Sequence, residues 1–288
     1  MIPVPFDYLR PSTVDEAVAA LGEADEGKIL AGGQSLLPVL KLRLAAPTLL
    51  VDLAAVPGLS GIRLDGDTLT GTTLVIGAMT THAEVAASDL VRQHAPLLAA
   101  AAGTVGDRQV RHRGTLGGSL AHADPAADLP AVAAALDATY VVRGPAGSRT
   151  IGAADFAVDL FTTALGPDDV LVEVRLPSTA GWAVHYEKFH RTAQAWAIVG
   201  VAVAVRRDGG GIGAARVALT NMGPVPHRAR AVEDALAGAA AAPDAVAEAC
   251  SRVADGTSPA DDLSGSAEYR RDLARVLTAR AVCRALGV

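Results

Sequence analysis

The sequence is poor in cysteine. It holds two, Cys250 and Cys283, and neither stands in the C-x₂-C or C-x₄-C-x₂-C spacing that carries zinc or an iron–sulfur cluster. Both fall in helical-looking sequence near the C-terminus and read as buried free thiols. Aromatic residues are scarce at 3%, so the core has to be built of Ala, Val and Leu. Positive charge is in the minority, 25 Lys and Arg against 31 Asp and Glu. No basic face for nucleic acid is expected from that balance, and no long like-charged run occurs. Long apolar runs are missing as well: stretches such as WAIVGVAVAV fall well short of a membrane span. The opening, MIPVPFDYLRPSTVDEA, has no apolar signal core and no twin arginine, so the expectation is a cytoplasmic protein. His82, His94, His185, His190 and His227 do not recur at metal-ligand spacing and read as surface or core histidines.

What is present is a chain of 288 residues, half of them hydrophobic. That is enough for one large domain or two to three small ones. Ser12 to Leu21 reads as a helix, with Thr13 and Glu16 at capping-box spacing and Gly22 as its stop. KILAGG and TLLVDL read as strands, and LLPVLKLRL between them starts as a helix that tolerates Pro38 only in its opening turn. Strand and helix therefore alternate, an α/β unit. From Leu59 the pattern becomes strand–turn–strand, with Asp65-Gly66 as the hairpin turn. THAEVAAS and LVRQHAPLLAAAAGTV read as helices, then ADLPAVAAAL as a helix after a glycine loop. TYVVRG, SRTIGA and DDVLVEVRLP come next as strands. WAVHYEKF, WAIVGVAVAVRRD and IGAARVALTNMG are the strands of a last unit. Its helices are HRARAVEDALAG, DAVAEACSRVA and a long amphipathic SAEYRRDLARVLTARAVCRAL.

Two glycine segments stand out, ILAGGQSLL (Ile29 to Leu37) and GTLGGSLAHADPAADLP (Gly114 to Pro130). Neither matches G-x-G-x-x-G or a P-loop. Each alone is a tight turn by default, because glycine is the usual residue where φ is positive. Backbone N–H groups in such turns also make anion-binding concavities, and two facing each other would grip a pyrophosphate without a lysine.

AGGQSLLPVLKLR and RGTLGGSLAHADPAADLPA resemble the two FAD-binding segments of the medium, flavin-binding subunit of molybdenum hydroxylases, the aerobic carbon monoxide dehydrogenase and xanthine dehydrogenase family. FDYLRPSTVDEA, VGDRQVRHRGT, DDVLVEVRLP and YEKFHRTAQAWAIVGVAV fall in the family's order, so the resemblance covers nearly the whole chain. It implies an α+β protein. A vanillyl-alcohol-oxidase/PCMH-type FAD-binding fold would occupy two α/β subdomains, residues 1–57 and 58–177. A C-terminal α+β domain, 178–288, would carry a three-stranded antiparallel sheet and helices.

The resemblance also implies site residues. Ile29, Leu30, Ala31, Gly32, Gly33, Gln34, Ser35 and Leu36 would wrap the FAD diphosphate from one side. Thr115, Leu116, Gly117, Gly118 and Ser119 would wrap it from the other. Asp128 would lie near the ribose or adenosine part, and Val105 and Leu171 would contact the cofactor through apolar surface or main chain. Lys188 would lie near the isoalloxazine or its ribityl chain, and Trp196 stands where an aromatic ring can lie against the flavin. Two positions depart from the family pattern, His112 where asparagine is common and Ala195 where an acidic or polar residue is frequent.

Other features read more plainly. DGGGIGAARV looks like a dinucleotide fingerprint, but the residues after its glycines read as strand rather than helix, so a hairpin turn is expected. His122 and Asp124 are either an acid–base pair or loop-capping residues. The resemblance implies FAD as cofactor and no catalytic side chain or metal in this chain. As partners it implies an iron–sulfur small subunit and a molybdenum-cofactor large subunit, in a heterotrimer that would be doubled. The function expected is electron transfer from those clusters through FAD to an external acceptor. A stand-alone FAD-dependent oxidase or dehydrogenase and a non-catalytic flavin-binding scaffold remain the alternatives.

Overall fold

A computed structural model describes residues 1–66 and 71–288. The first segment alternates strand and helix. Strands β1 (Asp7–Leu9), β2 (Gly27–Leu30) and β3 (Leu49–Asp52) form a parallel sheet in the order β1-β3-β2, connected through α1 (Val14–Glu23) and α2 (Leu36–Lys41). Thr13 caps α1, its Oγ1 accepting the Glu16 N–H at 3.1 Å. The reciprocal half of the capping box is not made, because the Glu16 carboxylate accepts instead from the N–H and hydroxyl of Ser12, at 2.7 and 2.9 Å. Gly22 does not stop the helix; it lies in the last turn, and the extended backbone of Ala24 ends it. Ala17, Val18 and Leu21 of α1 pack on Val51 and Leu53, and Leu59 and Val170 complete this small core.

Strands β4 (Ile62–Asp65) and β5 (Thr73–Gly77) form the expected hairpin, with Asp65 opposite Thr73. The turn placed at Asp65-Gly66 is thus the start of a longer connection, and residues 67–70 lie outside the described residues. Then come α3 (His82–Ala87), α4 (Asp89–His94), α5 (Pro96–Ala102), α6 (Arg108–Arg113), α7 (Leu116–His122) and α8 (Asp128–Ala135). One helix was expected across Pro96; the structure has two. Proline has no N–H to continue α4, and it takes the first position of α5, where none is needed.

Strands β6 (Thr139–Gly144) and β7 (Gly147–Gly152) form a hairpin, succeeded by α9 (Ala153–Phe156), a small hairpin of β8 (Ala157–Asp159) and β9 (Thr162–Thr163), and β10 (Val170–Pro177). The antiparallel sheet runs β4-β5-β10-β6-β7.

In the last segment β11 (Ala183–Phe189), β12 (Val199–Asp208) and β13 (Gly211–Thr220) are the three long antiparallel strands expected. A two-residue β14 (His227–Arg228) adds a fourth. The strand expected from Trp196 begins only at Val199, so the indole lies in the connection before it. DGGGIGAARV is a hairpin, with Asp208 paired to Gly211. Helices α10 (Arg230–Leu236), α11 (Pro243–Cys250) and α12 (Ala267–Leu286) complete the chain.

Strand β12 explains how the parts stack. Its run VGVAVAV is apolar throughout, yet side chains alternate faces. Val201, Val203 and Val205 join α10, α11 and α12 in one core. Ala202 and Ala204 face the other way, into the core of α5, α8 and the five-stranded sheet. Alanine on that face lets α8 approach the strand closely. No helix among the described residues is long and apolar enough to cross a membrane.

Candidate cofactor site

The two glycine segments meet. The first leaves β2 at Leu30 and passes Ala31 to Ser35 before α2. A β-carbon at Gly32 would collide with the carbonyl oxygen of Arg113, so the backbone of one segment rests on that of the other. Gly33 is held at φ 72°, a conformation glycine takes freely. Among the described residues the peptide N–H groups of Gly33, Gln34 and Ser35 have no acceptor in the chain, and the Ser35 hydroxyl does not cap α2. Backbone N–H groups left free in this way are available to an acceptor from outside the chain.

The second segment is built differently from its reading as a loop. LGGSLAH is the whole of α7, capped by Thr115, whose Oγ1 accepts the Gly118 N–H at 3.2 Å. The N–H groups of Leu116 and Gly117 point inward, to the carbonyls of Thr80 and Ala78 at 2.9 and 2.8 Å. Both residues are buried, so they shape the segment from below. A β-carbon on Gly117 would stand 2.5 Å from that of Ala78, and one on Gly118 3.3 Å from that of Ala31. Here glycine serves close approach rather than positive φ. Gly118 and Ser119 are half-buried, and Gly118 stands next to Ala31 of the first segment.

Beneath the junction lies His82, 4% exposed, its ring against Gly114 and its peptide N–H donating to the Gly114 carbonyl at 2.9 Å. Burial, with a smaller push from Arg111, drives its pKa down to about 4. Arg111 donates to the carbonyls of Val105 and Gly106, at 2.9 and 3.1 Å, and so fixes the turn that carries Val105. Leu171 is 5% exposed, a core residue of β10, and β10 packs against α7.

Asp128, the first residue of α8, and Lys188 on β11 are one unit. The ammonium lies 2.8 Å from the carboxylate, and the side chains are 7% and 5% exposed for Lys188 and Asp128. The resemblance assigned them to different parts of the cofactor; the structure sets them side by side. Lys188 also donates to the Thr104 carbonyl at 3.3 Å, and the Tyr186 hydroxyl donates to Asp128 at 2.6 Å. Burial pushes the Asp128 carboxyl up against the opposing pull of Lys188, and burial with the Asp128 charge raises the Tyr186 phenol well above its usual value. His190 Nδ1 is buried with no partner among the described residues. Tyr186 escaped the sequence reading, although it shares a face with Lys188 by the two-residue strand period. Trp196 is 64% exposed.

The remaining candidates, Asp124 and His122, make contacts within the chain. Asp124 accepts the Ala126 N–H at 2.9 Å, a turn contact. The His122 ring packs on Phe161, with centroids 5.2 Å apart.

The family matches make the chain a flavin-nucleotide-binding protein. A family model described as the FAD binding domain in molybdopterin dehydrogenase matches residues 4–179, and the CO dehydrogenase flavoprotein C-terminal domain matches 184–285. The chain belongs to the FAD-binding medium subunits of molybdenum hydroxylases. It is 42% identical over 286 residues to the carbon monoxide dehydrogenase medium chain of Hydrogenophaga pseudoflava, covering 98% of this chain and 97% of that one. A solved carbon monoxide dehydrogenase of that organism, lacking the Mo-pyranopterin moiety, superposes with TM-score 0.95 at 43% identity, over 100% of this chain and 99% of its own. Quinoline 2-oxidoreductase of Pseudomonas putida 86 superposes with TM-score 0.93 at 35% identity, over the same shares.

The free N–H groups of the first segment, the close approach of the second and the unpartnered His190 nitrogen suit a dinucleotide with a diphosphate and a polar ring system. FAD is the cofactor, and the chain is a subunit of an FAD-dependent oxidoreductase.

Proposed function

We propose that this chain carries electrons from the iron–sulfur clusters of a small partner subunit, fed by a molybdenum-cofactor large subunit, to an external acceptor, in the cytoplasm. The observation that carries the proposal is the pair of glycine segments in contact, in a chain whose two cysteines have no cluster spacing. Bound FAD supplies a ring that accepts electrons singly or in pairs. The chain supplies placement. Gly33, Gln34 and Ser35 hold the diphosphate through N–H groups, with Thr115, Gly118 and Ser119 closing the opposite side. Ile29 to Ala31, Leu36, Val105 and Leu171 shape the walls, with Leu116 and Gly117 supporting them. Asp128 and Lys188 offer an acceptor and a donor to the polar edge of the cofactor, and Trp196 covers the ring.

The names of the relatives support the division of labour. Chains of closely similar fold belong to proteins named for carbon monoxide and for quinoline, which supports substrate choice by a partner. Co-expression with its cognate small and large chains, followed by isolation through a tag on this one, should yield FAD, iron and molybdenum together. Isolation of this chain alone, flavin-loaded and oxidising an organic substrate, would favour a stand-alone enzyme.

A further inference from the structure

The connection that carries Trp196 is exposed, and a ring that covers a cofactor must be held in register with it. Asn221, just beyond the end of β13, secures that connection. Its Nδ2 donates to the carbonyl of Ala197 at 2.8 Å and of Ile198 at 3.3 Å, the two residues after the indole. Its own peptide N–H donates to the carbonyl of Pro125 at 2.8 Å, in the turn between α7 and Asp128. The residue stands at φ 63°. Asparagine visits that left-handed region more readily than other side-chain-bearing residues. The conformation lets one residue face two segments. Arg270, 1% exposed on α12, seconds the arrangement from behind. It donates to the Ile198 carbonyl at 2.8 Å and pairs with Asp262 at 2.6 Å.

We infer that Asn221 is a positioning residue that fixes Trp196 in register with the Asp128–Lys188 pair, by tying the segment that carries the indole to the turn that leads into Asp128. The inference rests on the reading that Trp196 lies against the flavin. It assigns the C-terminal segment a part in the cofactor environment through a residue that touches no cofactor. Each hydrogen bond biases the connection about fivefold toward the held position, so loss of both Nδ2 bonds frees the indole by about 25-fold in population.

The chain has two tryptophans, and Trp182→Phe leaves Trp196 as the only indole emitter. In that background Asn221→Gly keeps the left-handed backbone and removes the donors. Asn221→Asp tolerates the backbone, cannot donate, and serves if the glycine variant fails to fold. Two readouts are compared with Trp196→Leu: the fluorescence anisotropy of Trp196 in the flavin-free chain, and the flavin emission per bound FAD, which a stacked indole quenches. Both Asn221 variants should lower the anisotropy and brighten the flavin toward the Trp196→Leu level, with FAD still bound. Unchanged anisotropy and emission in both, while Trp196→Leu brightens the flavin, would overturn the role of Asn221 and leave Trp196 at the ring. No brightening in Trp196→Leu would remove the reading of Trp196 and this inference with it.

Discussion

Lys188 on β11 and Asp128 on α8 form a largely buried ion pair 2.8 Å apart, and Asp128 also accepts from the Tyr186 hydroxyl. Removing one partner strands the other charge away from water, at a cost of about 3–5 kcal/mol. Lys188→Met and Asp128→Asn should each lower stability by that order. The double variant should lose less than their sum, because neither charge is then left alone. Denaturant unfolding of the three variants measures the coupling, and additive losses would show that the pair acts as two independent residues.

Gly32 has the backbone of Arg113 where a side chain would go. Gly32→Ala should part the two segments, lower stability by about 1–3 kcal/mol and abolish FAD retention. Gly210→Ala is the control, since nothing lies within 4 Å of a β-carbon there. Flavin content after gel filtration separates the two. A Gly32→Ala chain that kept its flavin would contradict the junction as the diphosphate site.

Legibility in the sequence tracked the local character of each interaction. The glycine pairs, the strand–helix alternation and the C-terminal strands were readable because turn chemistry and two-residue alternation are written in neighbouring positions. The roles of the two glycine pairs were not equally readable. Only in three dimensions does Ala78 lie under Gly117 and take its N–H, where an expected loop is the helix α7. Asn221 and Arg270 were invisible for the same reason, since their partners Pro125 and Ile198 are distant in sequence. Arg270 even sits on the buried stripe of α12, where periodicity asks for an apolar residue.

His82 gives the fold a pH dependence with a definite sign. Its pKa falls from 6.5 to about 4 on burial, so the unfolded chain binds a proton in that interval and the folded chain does not. Its contribution is complete above pH 6.5 and is lost as pH falls toward 4. The loss amounts to about 3 kcal/mol by linkage. Unfolding free energies measured across this range should slope upward with pH, and His82→Gln should lose about one proton's worth of that slope. An identical slope in the variant would place the titration elsewhere.

Cys250 is buried in α11 and its thiol is pushed up to about 12, chiefly by burial. The native chain should leave Cys250 unmodified by a thiol reagent at mildly alkaline pH, with full reaction only after denaturation. Peptide mapping of the labelled chain reads the result, and rapid native labelling of Cys250 would show that α11 opens readily.

Delivery of electrons by a partner subunit is the central claim, and anaerobic reduction of the flavin measures it directly. In the assembled complex, the large subunit's substrate should bleach the FAD absorbance of this chain, and omission of the iron–sulfur subunit should abolish the bleaching. Rapid bleaching of the isolated chain by an organic substrate, with no partner present, would contradict that claim.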